Sequence, residues 1–113
     1  MKHRLYYSPE SRQDLDDIWN YIIMDLCNPD AALHVVNDIM DAVDSLQDFS
    51  ESGAPLSSLI DTESDYRFLV HGNYMVFYRV VNQNAYIDRV LYGRRDYMRI
   101  LFQSSNDSNE TKI

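Results

Sequence analysis

YRFLVHGNYMVFYRVVNQNAYIDRVLY, residues 66 to 92, contains three runs of strand-forming residues. The runs 66–71, 74–81 and 85–92 are separated by Gly72-Asn73 and by Asn82-Gln83-Asn84, both turn sequences, and Gly93 closes the last of them. Three antiparallel strands joined by short hairpins follow. Alternation then sorts the side chains by face. Taking Phe68 and Val70 toward the interior sends Arg67 and Leu69 outward. On the middle strand Met75, Phe77 and Arg79 share one face, and Tyr74, Val76, Tyr78 and Val80 share the other. Arginine is seldom fully buried without a partner. The exposed face is therefore expected to carry Arg67 and Arg79, with Arg89 a further candidate.

Upstream of this meander the period changes from two to between three and four. Ser8-Pro9 is a cap followed by proline at the first helical position, and Leu15, Ile18, Trp19, Ile22, Ile23 and Leu26 form an apolar stripe. Asn28-Pro29 repeats the signal, ahead of a stripe of Ala32, Val36, Ile39, Met40, Val43 and Leu46. Two amphipathic helices are expected to form a hairpin. The carboxylates between their apolar positions, Asp14, Asp16, Asp17, Asp38, Asp41, Asp44 and Asp48, read as a solvated face. KHRLYY, 2 to 7, favours an N-terminal strand, and FSESGAPLSS, 49 to 58, favours a loop. The fold class is thus α+β: an N-terminal strand, a helical hairpin, then a three-stranded antiparallel meander with the helices packed on one face. Residues 1–102 make one domain, and the polar residues 103–113 are expected to be a disordered tail.

Composition narrows the function classes. With 113 residues, 45% of them apolar and 25% charged, the chain has the make-up of a folded domain with one core. No apolar run approaches the roughly 20 residues needed to cross a bilayer, and no signal-peptide pattern follows Met1. A cytoplasmic protein with no membrane partner is expected. The single cysteine, Cys27, reads as a small core or boundary residue, and His3, His34 and His71 lack metal-ligand spacing, so no metal or cofactor is expected. His71, beside the Gly72 turn, reads as exposed.

The net charge of −8 is divided unevenly. Residues 1–65 hold three Lys/Arg against fourteen Asp/Glu, whereas residues 66–102 hold six Arg against two Asp. Four of those arginines lie in RVLYGRRDYMRI, 89 to 100. A basic end on an acidic chain suits an anionic or acidic partner, while the overall acidity opposes nonspecific attachment to nucleic acid.

The element order, together with GNYMVFYRV from Gly72 to Val80 and YGRRD from Tyr92 to Asp96, resembles the RelE/ParE superfamily, the toxin halves of bacterial type II toxin-antitoxin modules. The resemblance extends from residue 3 to residue 102. Its RelE-like branch implies an mRNA endonuclease acting at the ribosome, with basic residues where charge develops on the phosphate. Arg67 and Arg95 match basic positions of that branch, and Tyr97 is a candidate leaving-group acid, although a tyrosine packing the chain end against the sheet is the commoner use of such a residue. Met75 stands where those nucleases have a catalytic arginine, Leu69 where another basic residue is common, and Asp96-Tyr97 replaces a His-Tyr ending.

The ParE-like branch fits these departures better. It implies a toxin that binds a protein target, DNA gyrase, with Arg67, Arg79, Arg94, Arg95 and Arg99 as contacts suited to carboxylates. It also implies a cognate antitoxin, with Trp19, Tyr74 and Phe77 as candidate contacts. A hetero-oligomer with that antitoxin is expected, and no direct DNA binding in its absence. A protein on this fold that has lost toxicity is the third reading.

Overall fold

The two helix starts show how local chemistry sets the frame. Ser8 accepts a hydrogen bond from the Ser11 N–H at 2.9 Å, and Pro9 opens helix α1, Pro9–Met24. The same serine donates from Oγ to the Asp88 carbonyl at 2.7 Å and from its N–H to the Ile87 carbonyl at 2.9 Å. The cap therefore also ties α1 to the sheet. Asn28 accepts from the Ala31 N–H at 3.1 Å to begin α2, Pro29–Asp44. Between the helices Cys27 takes φ +53° and is exposed, so the cysteine expected at a core or boundary position is a turn residue. Leu26, expected in the first stripe, falls beyond the end of α1 and is also exposed. Leu46 is buried, but in a 3₁₀ turn, Ser45–Gln47.

This computed structural model describes residues 4–60, 63–93, 97 and 99–103. The expected tail lies outside them except for its first residue, Gln103, which ends the Arg99–Gln103 helical turn, and the start of the N-terminal strand also lies outside them. Strand β1 is Leu5–Tyr7, β2 is Ala54–Pro55, β3 is Arg67–His71, β4 is Tyr74–Val81 and β5 is Asn84–Tyr92. The sheet order is β1-β5-β4-β3-β2, with β1 parallel to β5 and the other pairs antiparallel. The meander is present as β3 to β5, extended by a strand at each side. The presumed loop at 49–58 contributes β2 and a 3₁₀ turn, Leu56–Ser58. Positive φ at Gly72, and at Asn82 and Gln83 in the two-residue β4–β5 turn, closes the hairpins tightly.

The facing of the strands reverses part of the expectation. Leu69, Tyr74, Val76, Tyr78 and Val80 pack with Ile18, Ile22, Ala32, Ile39 and Val43 of the helices. Phe68 turns the other way, and Val70 is 61% exposed. Period two groups residues by face but does not say which face meets the helices. The opposite face is not an open basic surface either. Leu56, Tyr66, Met75, Phe77, Leu91 and Leu101 form a second apolar cluster, flanked by Tyr97, Ile100 and Phe102 from the chain end. Met75 to Tyr78 are consequently buried in succession.

Between Phe77 and Tyr78 the register with β5 slips, leaving Asp88 without a counterpart. Ile87 and Val90 pack toward the helices and Leu91 toward the second cluster, with the bulge between them.

The loop before β2 is held from the helix side. Gly53 donates its N–H to the Tyr78 hydroxyl at 2.8 Å, and Arg67 donates to the carbonyls of Gly53 and Glu51, both at 3.1 Å. A Cβ on Gly53 would lie 2.5 Å from Tyr78 Oη and 2.7 Å from the Phe68 carbonyl oxygen. Gly53→Ala is expected to destabilise the fold by about 1–3 kcal/mol through this overpacking. A urea denaturation midpoint equal to that of the parent would show that the loop yields instead.

Candidate functional site

The arginines proposed as contacts do not share one face. Arg67 pairs across the sheet with Tyr78 on the helix side, where its guanidinium is engaged by the two loop carbonyls. Arg89 also leaves the proposed basic face. Its Nε and Nη2 donate to Asp14 Oδ2 and Oδ1, each at 2.8 Å, and the Val90 N–H donates to the same Oδ2 at 2.9 Å. The hydrogen bonds to Asp14 hold the Arg89 pKa above its ordinary value against the opposing effect of burial. Asp14, expected on a solvated face, is a buried structural ligand. Arg99 is exposed in the Arg99–Gln103 turn. Arg94 and Arg95 lie outside the described residues.

Only Arg79, among the arginines assigned to the exposed sheet face, is there. Its guanidinium sits 4.9 Å from the centroid of the Tyr66 ring and 3.9 Å from Asp88 Oδ2. The Tyr66 hydroxyl donates a short hydrogen bond to that oxygen. Burial, followed by the hydrogen bond to Asp88 and its charge, pushes the Tyr66 hydroxyl up to about 12, with Arg79 acting in the opposite direction. Tyr7 is pushed up to about 12 by burial and by Asp44.

The candidate antitoxin contacts separate similarly. Trp19 is half-buried in a depression of about 370 Å³ between the helices, beside Leu15, Val36 and Met40. Tyr74 lines a groove of about 480 Å³ between α1 and the sheet, with Asp17, Tyr21 and Tyr92, and its ring meets Tyr92 edge-on at 5.8 Å. Phe77 is fully buried, its ring 5.3 Å from that of Tyr97, and has no surface to offer. Alternation places it on the sheet face opposite the helices, and Tyr97, Ile100 and Phe102 cover that face. His71 is partly exposed, 3.6 Å from Asp38.

Met75, which departs from the nuclease pattern, is 8% exposed and packed within the second apolar cluster. That position supplies packing, not charge. The family model for the ParE toxin of the type II toxin-antitoxin system parDE matches residues 5–97. The chain belongs to the ParE toxin family. It is accordingly a toxin-class chain of the RelE/ParE superfamily. A solved chain described as the chromosomal ParDE toxin-antitoxin system from P. aeruginosa is similar, with 26% identity and a TM-score of 0.64, over 79% of this chain and 94% of that one. No curated protein matches significantly. No helix among the described residues is long and apolar enough to cross a membrane.

Within this ParE-family chain, the residues that sequence reasoning missed are Asp14, Tyr66 and Asp88. Asp14 and Arg89 are 75 positions apart, and neither has a local pattern that names the other. A carboxylate inside the polar side of an amphipathic helix was the only available signal.

Two outcomes follow. Asp14→Ala removes the acceptor of three hydrogen bonds and is expected to cost about 3 kcal/mol, measured by denaturant unfolding, with a smaller loss for Arg89→Lys. For Tyr7 and Tyr66 the folded pKa of about 12 exceeds the ordinary 10, so their contribution is complete below pH 10 and is lost as pH rises toward 12. Absorbance titration of the tyrosinates is expected to show these two ionising last, and Tyr66→Phe to remove one of them.

Proposed function

We propose that this ParE-family chain arrests growth by binding a protein target, with DNA gyrase the target the family implies, and that a cognate antitoxin neutralises it. The observation that carries the reading is the filling of the sheet face opposite the helices by Met75, Phe77, Leu91 and Leu101. A phosphate-cleaving site needs cations held where charge develops. At Met75 and Phe77 of β4 that space is apolar, and the described residues of the nuclease alternative are dispersed, Arg67 on the helix side and Tyr97 against Phe77.

The similar solved chain belongs to a ParDE system, which supports an antitoxin as the stable partner here and a hetero-oligomer as the resting form. Trp19 and Tyr74 line separate depressions on either side of α1. An antitoxin segment crossing that helix would meet both. Arg79, Arg94, Arg95 and Arg99 are proposed as target contacts, with carboxylates as their counterparts.

Expression without antitoxin is expected to arrest growth, and purified protein to block gyrase supercoiling without cutting transcripts. Codon-positioned transcript cleavage with gyrase unaffected would install the nuclease reading, and absence of any growth defect the non-toxic one. Arg94→Ala combined with Arg95→Ala is expected to weaken gyrase inhibition by about tenfold or more while the thermal midpoint is preserved. Unchanged inhibition by that double variant would remove the pair from the mechanism.

A further inference from the structure

The sheet face opposite the helices is only partly covered. Beyond the second apolar cluster, toward β1, lies an open pocket of about 460 Å³ that includes Tyr6, Asp65, Arg79, Val81, Tyr86 and Asp88 in its lining. Tyr6 and Tyr86 are cross-strand partners whose rings stack at 4.8 Å and 13°, and each is 41% exposed. Stacked face to face, each ring covers one face of the other and leaves its outer face and edge toward solvent. Beside it, the contacts of the Asp88 carboxylate with described residues all use Oδ2. Asp65 is exposed at the rim, and also lines an adjoining depression with Ser57, Glu63 and Ser64.

We propose that this groove binds an extended, arginine-bearing segment of a protein partner. A guanidinium is planar, stacks on aromatic faces and forks to carboxylates, so in this pocket it can lie on the outer face of Tyr86 while bonding Asp88 Oδ1, which no hydrogen bond or ion pair with a described residue uses. Charge favours that occupant. Among the described residues, Asp88, Asp65 and Glu63 line the two depressions against one cation, Arg79, whose own pairing with Asp88 is loose at 3.9 Å. A nucleic-acid strand could stack on the same rings, but its phosphates would then meet this acidic rim. Asp88 is fixed in place by Tyr66, so the acceptor is already positioned before the partner arrives. The pocket is distinct from both depressions beside α1 and shares only Arg79 with the proposed target contacts, so the proposal rests on Tyr6, Tyr86, Asp65 and Asp88 whichever protein the chain inhibits.

The test uses the full chain and a short fluorescein-labelled peptide of alternating alanine and arginine, with a second peptide carrying citrulline in place of arginine and a single-stranded RNA oligonucleotide of similar length. Amide shifts on adding the arginine peptide are expected to centre on Tyr6, Arg79, Tyr86 and Asp88. Affinity is expected to fall about tenfold with citrulline, which keeps the shape and removes the charge. Asp65→Asn, a change at an exposed position, and Tyr86→Ala are each expected to weaken binding about fivefold, whereas Asp41→Asn on α2 changes it less than about twofold. Shifts centred on the acidic helices, equal binding of the citrulline peptide, or loss with Asp41→Asn but not with Asp65→Asn would overturn the proposal. Preferential binding of the RNA in the groove would also overturn it.

Discussion

The carboxylate of Asp14 joins the helical layer to the sheet at the place where the sheet is irregular. It accepts both donors of the Arg89 fork and the backbone N–H of Val90, just past the slip in register between β4 and β5. A buried carboxylate is costly unless charged and polar partners surround it, and here three donors do so. On the side of the bulge away from the helices, Asp88 reaches Tyr66 and Arg79. Ser8 adds a second tie, capping α1 while bonding the backbone of β5 at Ile87 and Asp88. Helix start, strand bulge and ion pair therefore constrain one another.

That arrangement explains why the arginines of the sheet serve different ends. Arg89 joins layers, Arg67 secures the loop around Gly53, and Arg79 lies over Tyr66. An arginine within a strand has no intrinsic role; the nearest acceptor decides whether it is structural or available. The chain end completes the division. By packing Tyr97, Ile100, Leu101 and Phe102 over Phe77 and its neighbours, it converts half of the outer sheet face into core and leaves the half toward β1 open.

The concentration of negative charge in the first 65 residues acquires a location in the same way. Most of the helical carboxylates remain exposed, as a solvated face requires, whereas Asp14 is buried. Asp38 is positioned beside His71, and Asp44 adds to burial in raising the pKa of the Tyr7 hydroxyl. An acidic surface with localised aromatic openings favours specific protein contacts over diffuse attachment to phosphate.

Local pattern was enough to establish much of the fold. Ser8-Pro9 and Asn28-Pro29 announced the helix starts because capping involves residues only three apart, and the alternation in β3 to β5 announced strands because side chains along a strand repeat every two residues. The words around Gly72 and Tyr92 pointed to the family. Tertiary structure alone decided which sheet face met the helices, because alternation is symmetric under exchange of faces. It alone paired Asp14 with Arg89, buried Phe77 and Met75 beneath the chain end, and brought Tyr6 beside Tyr86. Each of those contacts joins residues far apart in the chain, so its energy depends on long-range packing that no short stretch of sequence encodes.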